Sequence, residues 1–211
     1  MLLEQESYDL ALRLLAGAYP DAKPALEYRS PFELLVSTML AAQCTDRQVN
    51  KCTRVLYEKY NTPEQFAALT EDELKPYIHS CGFFNTKGKN IIAMSKILTA
   101  QYGGQVPADR DVLTTFPGVG RKTANVVVSN AFGIPAIAVD THVFRVTNRI
   151  GLADAKTVEK TEEQLMEHIP REDWSAAHHW LIYHGRQVCD AKKPRCADCC
   201  VACVCDAFHR G

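Results

Sequence analysis

The stretch VLTTFPGVGRKTA at 112–124 decides the fold of this 211-residue chain. A short helix is expected to end near Phe116, Pro-Gly-Val-Gly turns the chain, and a second helix begins near Arg121. Gly118 and Gly120 permit positive φ and a close approach of the backbone. Together with the helix N-terminus that follows, such a turn directs N–H groups towards an anion, for which phosphate is the natural ligand.

This pattern is typical of a helix-hairpin-helix element, which we place at about 109–132. Such elements bind the phosphate backbone of DNA and position a protein without reading base sequence. The residues predicted to contact DNA are Gly118, Val119, Gly120 and Arg121. Because a turn of this composition also joins helices that bind nothing, the assignment depends on the residues around it.

Helical periodicity continues over the rest of the chain, which predicts an all-α fold. Ser7 is a candidate N-cap of the first helix, and Thr70 with Glu73 fits a capping box. The helix from Pro31 is apolar on nearly every side, so we expect it at the centre of the core. The apolar run at 134–139 has no partner strand, which predicts a buried extended connector. Helices are predicted at 7–18, 31–42, 46–60, 63–69, 71–79, 87–102, 109–115, 121–132, 141–150, 157–168 and 172–187.

We expect two helical lobes with a DNA-binding groove between them. One lobe would comprise 24–135 and carry the hairpin, and the other would combine 1–23 with 136–211. No apolar run reaches membrane-spanning length, and the N-terminus lacks the order of a signal peptide. These features predict a cytoplasmic protein that associates with no membrane. Separately, we expect the protein to be a monomer.

The charge of the chain is balanced but unevenly distributed. The formal net charge is −1, which by itself does not indicate a nucleic-acid-binding protein. Acidic residues dominate 154–173. The segment 186–195 contains one acidic residue, Asp190, and four basic residues, Arg186, Lys192, Lys193 and Arg195. A near-neutral protein with segregated charge can still present a basic surface to phosphate, although solvated surface charge would look the same.

Six of the nine cysteines lie in the last 23 residues. Disulfides are disfavoured in a reducing compartment, so this crowding points first to a metal site. Four thiolates in a compact segment suit either a zinc ion or an iron–sulfur cluster. The six are Cys189, Cys196, Cys199, Cys200, Cys203 and Cys205.

Lys122 and Asp140 are the candidate catalytic residues. Lys122 lies just inside the helix after the hairpin, where the helix dipole and Arg121 both disfavour a second cation and make the neutral amine more accessible. A neutral amine can attack a sugar C1′ and form a Schiff base, although a phosphate contact is the simpler role. Asp140 fits a helix N-cap, and a carboxylate held by N–H groups there could stabilise positive charge on the sugar.

Two segments together resemble a known family. LTTFPGVGRKTANVV, followed by VDTHVFRVTNR with Asp140 eighteen residues after Lys122, is similar to the hairpin and catalytic Asp of the helix-hairpin-helix DNA glycosylases. The lysine makes the chain look like the endonuclease III family. The resemblance runs from about Ser30 to Cys205 and includes C-x6-C-x2-C-x5-C at Cys189, Cys196, Cys199 and Cys205, the family's [4Fe–4S] motif.

The resemblance implies an enzyme of base excision repair. Lys122 would be the Schiff-base nucleophile and Asp140 the catalytic aspartate of a glycosylase and AP lyase that removes oxidised pyrimidines, such as thymine glycol, from duplex DNA. Gln43 matches the glutamine that fills the gap left by the extruded base, and Phe83 stands where the family often has a leucine wedge. The basic run Lys192, Lys193 and Arg195 would contact phosphate, and Cys200 and Cys203 lie outside the matched set.

Three other functions remain open from the sequence. An adenine-mismatch glycosylase shares the cluster, but that branch usually lacks the lysine, and Met39 stands near the place of its catalytic glutamate. A thymine-mismatch glycosylase is disfavoured by the same lysine. A non-enzymatic DNA-binding protein would need neither Lys122 nor Asp140 at these places.

Overall fold

The computed structural model describes residues 1–210, and in that range the secondary structure is helical, without a strand. The predicted all-α fold is confirmed. None of the helices in this range is long and apolar enough to cross a membrane. The helices are α1 (Gln5–Ala18), α2 (Pro31–Ala41), α3 (Asp46–Lys59), α4 (Pro63–Ala68), α5 (Glu71–Ile78), α6 (Phe84–Tyr102), α7 (Arg110–Leu113), α8 (Arg121–Phe132), α9 (Thr141–Ile150), α10 (Val158–His168), α11 (Trp174–Gln187) and α12 (Asp206–Arg210).

The chain divides into two compact units. The central unit is Pro24–Ile134, and the terminal unit combines Met1–Lys23 with the chain from Pro135 onward. Lys122 belongs to the central unit, and Asp140 belongs to the terminal unit together with the C-terminal cysteines.

The central unit is built around α2. The Ser30 side chain caps this helix by accepting from Glu33 N, and every residue from Phe32 to Leu40 is buried. The predicted central, fully buried helix is therefore confirmed. It packs against α3, α6 and α8, while α4 and α5 pack against α6. The capping box of Thr70 and Glu73 forms at the start of α5 as predicted.

The terminal unit buries one face each of α1, α9 and α11. Its core includes Leu15, Val143 and Leu181, all without exposed surface. The run at 134–139 forms neither helix nor strand, and its last four residues are buried. The predicted buried connector is therefore confirmed, and it leads directly into Asp140 at the start of α9.

The boundaries of four predicted helices are wrong. α11 begins at Trp174, two residues after the predicted start, because Arg171–Asp173 forms a 3₁₀ turn. α1 begins at Gln5 with Glu4 as N-cap, so Ser7 lies inside the first turn. α6 begins at Phe84, three residues early, because the chain turns through Phe83 in a left-handed conformation and the Phe83 carbonyl accepts from Lys87 N. α7 covers four residues only, since Phe116 N donates to Leu113 O, an i to i−3 turn in place of a further helical turn.

Candidate active site

The predicted hairpin is present between α7 and α8. Gly118 has φ 74°, and a Cβ there would lie 2.9 Å from Cβ of Asn90 on α6. Positive φ and close packing therefore both require glycine at this position. Gly120 differs from the expectation of positive φ, because its φ of −91° is the extended conformation of an N-cap residue.

Val119 is the hairpin residue that is directed inward. Its side chain is buried, and its N–H donates to the Phe116 carbonyl at 3.1 Å. This use of the N–H differs from the expectation that the hairpin amides point at an anion. The other hairpin residues are exposed, namely Gly118, Gly120 and Arg121. Phosphate binding at these positions stays a prediction.

Lys122 is the second residue of α8 and is exposed. The helix has twelve residues, and Gly120 supplies no capping side chain at its N-terminus. Lys122 is therefore an accessible amine at the helix terminus that carries the positive end of the helix dipole. The nucleophilic role of Lys122 stays a prediction.

Asp140 has the predicted capping geometry. Its Oδ1 accepts hydrogen bonds of 2.8 Å from both His142 N and Val143 N, and the residue is half-buried. Two N–H donors fix this carboxylate in position at the start of α9. The cap accounts for the position of Asp140, and the catalytic role stays a prediction.

Gln43 and Phe83 share a backbone feature. They are the two residues other than glycine with positive φ in 1–210, with φ values of 54° and 48°. Both are exposed, and Phe83 is 67% exposed. A left-handed residue with a side chain is strained, and such strain concentrates at functional sites. The structure thus distinguishes the same two residues that were predicted to enter DNA.

Four of the C-terminal cysteines line one cavity of about 420 Å³ in the terminal unit. They are Cys189, Cys196, Cys199 and Cys205, whereas Cys200 and Cys203 are not among the lining residues. Cys200 is half-buried and contacts the core of the unit, as Cys199 and Cys205 also do, and Cys203 is exposed. The matched set of thiols therefore lines one cavity, and the two additional thiols do not line it.

Arg149 and His184 are side chains at this cavity that the sequence analysis missed. Arg149 Nη1 lies 3.6 Å from Cys189 Sγ, and His184 Nε2 lies 3.5 Å from Cys199 Sγ. Burial lowers the pKa of His184 to about 4, so its ring is neutral near pH 7. From the sequence, Arg149 could have been noticed only as a basic residue in the last turn of α9, where a positive charge is favourable.

The basic run lies on a loop whose backbone is well held. Asp190 Oδ1 accepts from the N–H groups of Lys192 and Lys193 at 2.9 and 3.0 Å, and these bonds hold the pKa of Asp190 below its usual value. Arg149 donates to the carbonyls of Asp190 and Ala191, and the Arg195 guanidinium donates to that of Gln187. The Lys192 and Lys193 side chains remain exposed.

Comparison with known proteins identifies one family over most of the chain. The family model of the HhH-GPD superfamily of base excision DNA repair proteins matches residues 36–171. Endonuclease III of Bacillus subtilis is 48% identical over 205 residues, covering 97% of this chain and 94% of the relative. Endonuclease III of Escherichia coli is 49% identical over 187 residues, covering 89% of each protein.

Solved structures give the same result. An endonuclease III trapped as a covalent intermediate with DNA superimposes with a TM-score of 0.95 at 46% identity, over 99% of each chain. A thermostable thymine-DNA glycosylase has the same fold, with a TM-score of 0.89 at 21% identity. The chain therefore belongs to the HhH-GPD superfamily of base excision DNA repair proteins and, within it, to the endonuclease III family of DNA glycosylases with AP lyase activity.

Proposed function

We propose that this chain excises oxidised pyrimidines from duplex DNA and then cleaves the abasic strand, with Lys122 as nucleophile. The observation that carries the proposal is Lys122 itself, an exposed amine at the start of the helix that follows the hairpin. The similar structure of an endonuclease III trapped covalently on DNA supports a mechanism that passes through a covalent adduct. The protein would act as a monomer on DNA that contains damaged pyrimidines or abasic sites.

The chemistry requires a neutral amine and a stabilised sugar cation. Lys122 Nζ forms a bond to C1′ while the bond from C1′ to the base breaks, and the departing base takes up a proton. Opening of the sugar ring gives an imine, loss of a C2′ proton breaks the C3′–O bond, and water then releases the lysine. Asp140 is assigned the stabilisation of positive charge on the sugar and the removal of the ammonium proton of Lys122.

We assign Gln43 and Phe83, the two exposed residues with left-handed backbone, to base extraction. Flipping a nucleotide out of the duplex costs a few kcal/mol of stacking, which a side chain inserted in its place partly offsets. Phe83 is the proposed wedge, because its ring is exposed and can stack on base pairs. Gln43 is the proposed gap-filling residue, while the hairpin at 118–121 and the loop residues Lys192, Lys193 and Arg195 contact phosphates.

The cavity lined by cysteines fits a [4Fe–4S] cluster better than a single metal ion. Within residues 1–210, no three His, Cys, Asp or Glu side chains come close enough together to hold one ion. Four thiols around a cavity of about 420 Å³ instead suit a polynuclear group. Cys189, Cys196, Cys199 and Cys205 would hold the cluster, which when bound would cross-link the loop that carries the basic residues.

Two substitutions at Asp140 separate capping from catalysis. Asp140→Asn retains a good N-cap, so we expect the unfolding free energy to change by less than about 1 kcal/mol. The same change removes the negative charge, so we expect strand incision to slow by about 100-fold. Asp140→Ala loses both functions and should also destabilise the protein by about 1–2 kcal/mol. Single-turnover incision assays and urea unfolding measure the two effects.

Thr157→Ala is the matched control for Asp140. Thr157 caps α10 in the same unit by accepting from Lys160 N, so its loss should reduce stability without slowing incision. Incision by Asp140→Asn at the wild-type rate would show that Asp140 acts as a cap alone.

Borohydride trapping tests the proposed function directly. Borohydride reduces an imine between protein and DNA to a stable amine, so we expect adducts with duplexes that carry thymine glycol or an abasic site. Adduct formation on the abasic duplex alone would contradict the assignment of oxidised pyrimidines as substrates. No adduct on either duplex, from protein that contains iron and binds DNA, would contradict Schiff-base chemistry as a whole.

A further inference from the structure

Lys87 is a buried cation that the proposed chemistry does not use. It lies in the first turn of α6 and is 8% exposed. Its Nζ donates to two backbone carbonyls, that of Leu40 at 2.8 Å and that of Cys81 at 2.6 Å. Side chains in a helix lean towards its N-terminus, which explains how Lys87 reaches residues that precede α6.

This position is unfavourable for a cation. Burial lowers the pKa of Lys87, because removing an ammonium from water costs free energy. The N-terminal turn of α6 also carries the positive end of the helix dipole, which disfavours another positive charge. An apolar side chain of similar size would avoid both costs. It could not form the two hydrogen bonds, which join two segments of backbone to Lys87.

The two acceptor carbonyls lie just before the two strained residues. Leu40 O precedes Gln43 by three residues, and Cys81 O precedes Phe83 by two. The segments are 40 residues apart in the chain, yet one ammonium group holds both. Left-handed backbone at residues with side chains persists only where the surroundings hold it in place.

We propose that Lys87 is a positioning residue that ties the Gln43 turn to the Phe83 turn, so that both side chains enter the duplex together. The inference rests on the proposed roles of Gln43 and Phe83 in base extraction. In this role Lys87 fixes the spacing between the Gln43 and Phe83 side chains, which act on the same gap in the base stack. Lys87 itself touches neither the substrate nor the reacting atoms.

The inference predicts unequal effects on two substrates. An oxidised base must be extracted from the stack before Lys122 can react, whereas an abasic site has no base to extract. Loss of Lys87 should therefore slow incision at thymine glycol more than incision at an abasic site. A general loss of folded protein would reduce both rates equally.

Lys87→Met tests this, since it keeps the aliphatic stem and removes both hydrogen bonds. We expect the single-turnover rate to fall by about 10- to 100-fold on the thymine glycol duplex, because small displacements of positioning groups have effects of this size. On the abasic duplex we expect a change within about threefold, since no stacking free energy has to be offset. 2-Aminopurine opposite the lesion should show weaker fluorescence enhancement, because Gln43 and Phe83 no longer fill the gap together.

Three further variants and one physical measurement complete the design. Lys96→Met removes an exposed lysine from the same helix and should behave as wild type. Lys87→Arg keeps a cation with several donors, so it should restore part of the selectivity. Lys87→Gln, whose shorter side chain lacks the charge and cannot reach both carbonyls, replaces Lys87→Met if that variant does not fold, with the same expected results. Amide hydrogen exchange in 41–46 and 79–84 should be faster in Lys87→Met than in Lys96→Met.

The outcomes separate this inference from the proposed function. Equal rate losses on both duplexes, or unchanged exchange in the two segments, would overturn the role of Lys87. If the wild-type protein forms no adduct on either duplex, the proposed function fails, yet the exchange measurement still decides whether Lys87 ties the two turns. Selective loss at thymine glycol together with faster exchange in both segments supports the inference.

Discussion

Lys122→Ala is expected to abolish borohydride-trapped adducts and to slow strand incision by about 10³-fold or more, because the proposed covalent route is lost. Binding to a duplex with an abasic site should weaken only slightly, since the substitution removes at most one phosphate contact among several. The slope of log K for DNA binding against log salt concentration is negative, and losing one phosphate contact should make it shallower by about 1. Filter binding at several salt concentrations and single-turnover incision measure the two quantities.

Lys122→Arg decides between the two roles of the lysine. Arginine keeps the positive charge at the start of α8 and can bind phosphate, but it is not deprotonated in proteins and forms no imine. If Lys122 is the nucleophile, the arginine variant binds DNA as well as wild type and yields no adduct. If Lys122 only contacts phosphate, the variant incises DNA normally, and the proposed mechanism is then wrong.

Serine substitution of any one cavity cysteine is expected to remove iron and destabilise the terminal unit. Cys189, Cys196, Cys199 and Cys205 lie on segments joined by short 3₁₀ turns, and little other secondary structure holds these segments together. Binding free energy at such a site contributes directly to folding, so we expect the unfolding free energy to fall by roughly 3 kcal/mol or more. Iron and sulfide content, visible absorption and thermal unfolding provide the measurements.

Cys200→Ser and Cys203→Ser are the matched controls. Both replace a thiol within the same loop, but neither residue lines the cavity. Their iron content should equal that of the wild type, and Cys203→Ser should unfold at the wild-type temperature because Cys203 is exposed. Loss of iron from either variant, with iron retained after substitution of Cys199 or Cys205, would reassign the ligands. Zinc in place of iron would contradict the cluster.

The positions of most helices follow from local sequence. Ser30 caps α2, Thr70 and Glu73 form their capping box, and Asp140 caps α9, because these interactions involve residues three or fewer positions apart. The glycine at 118 and the turn around it were equally readable from adjacent residues. Where a boundary depends on distant contacts, as at the start of α1, the local pattern was insufficient: Leu3 N bonds to Gly151 O.

The sequence by itself determined the all-α class, the hairpin, the family and the cysteine spacing, since each is encoded by periodicity or by residues at short fixed separations. Only the tertiary structure decided that Cys199 lines the cavity while its neighbour Cys200 does not. Only the tertiary structure showed the positive φ of Gln43 and Phe83 and the reach of Lys87 to both turns. These features arise from packing between segments far apart in the chain, where burial and hydrogen bonding outweigh the local preference of any single residue.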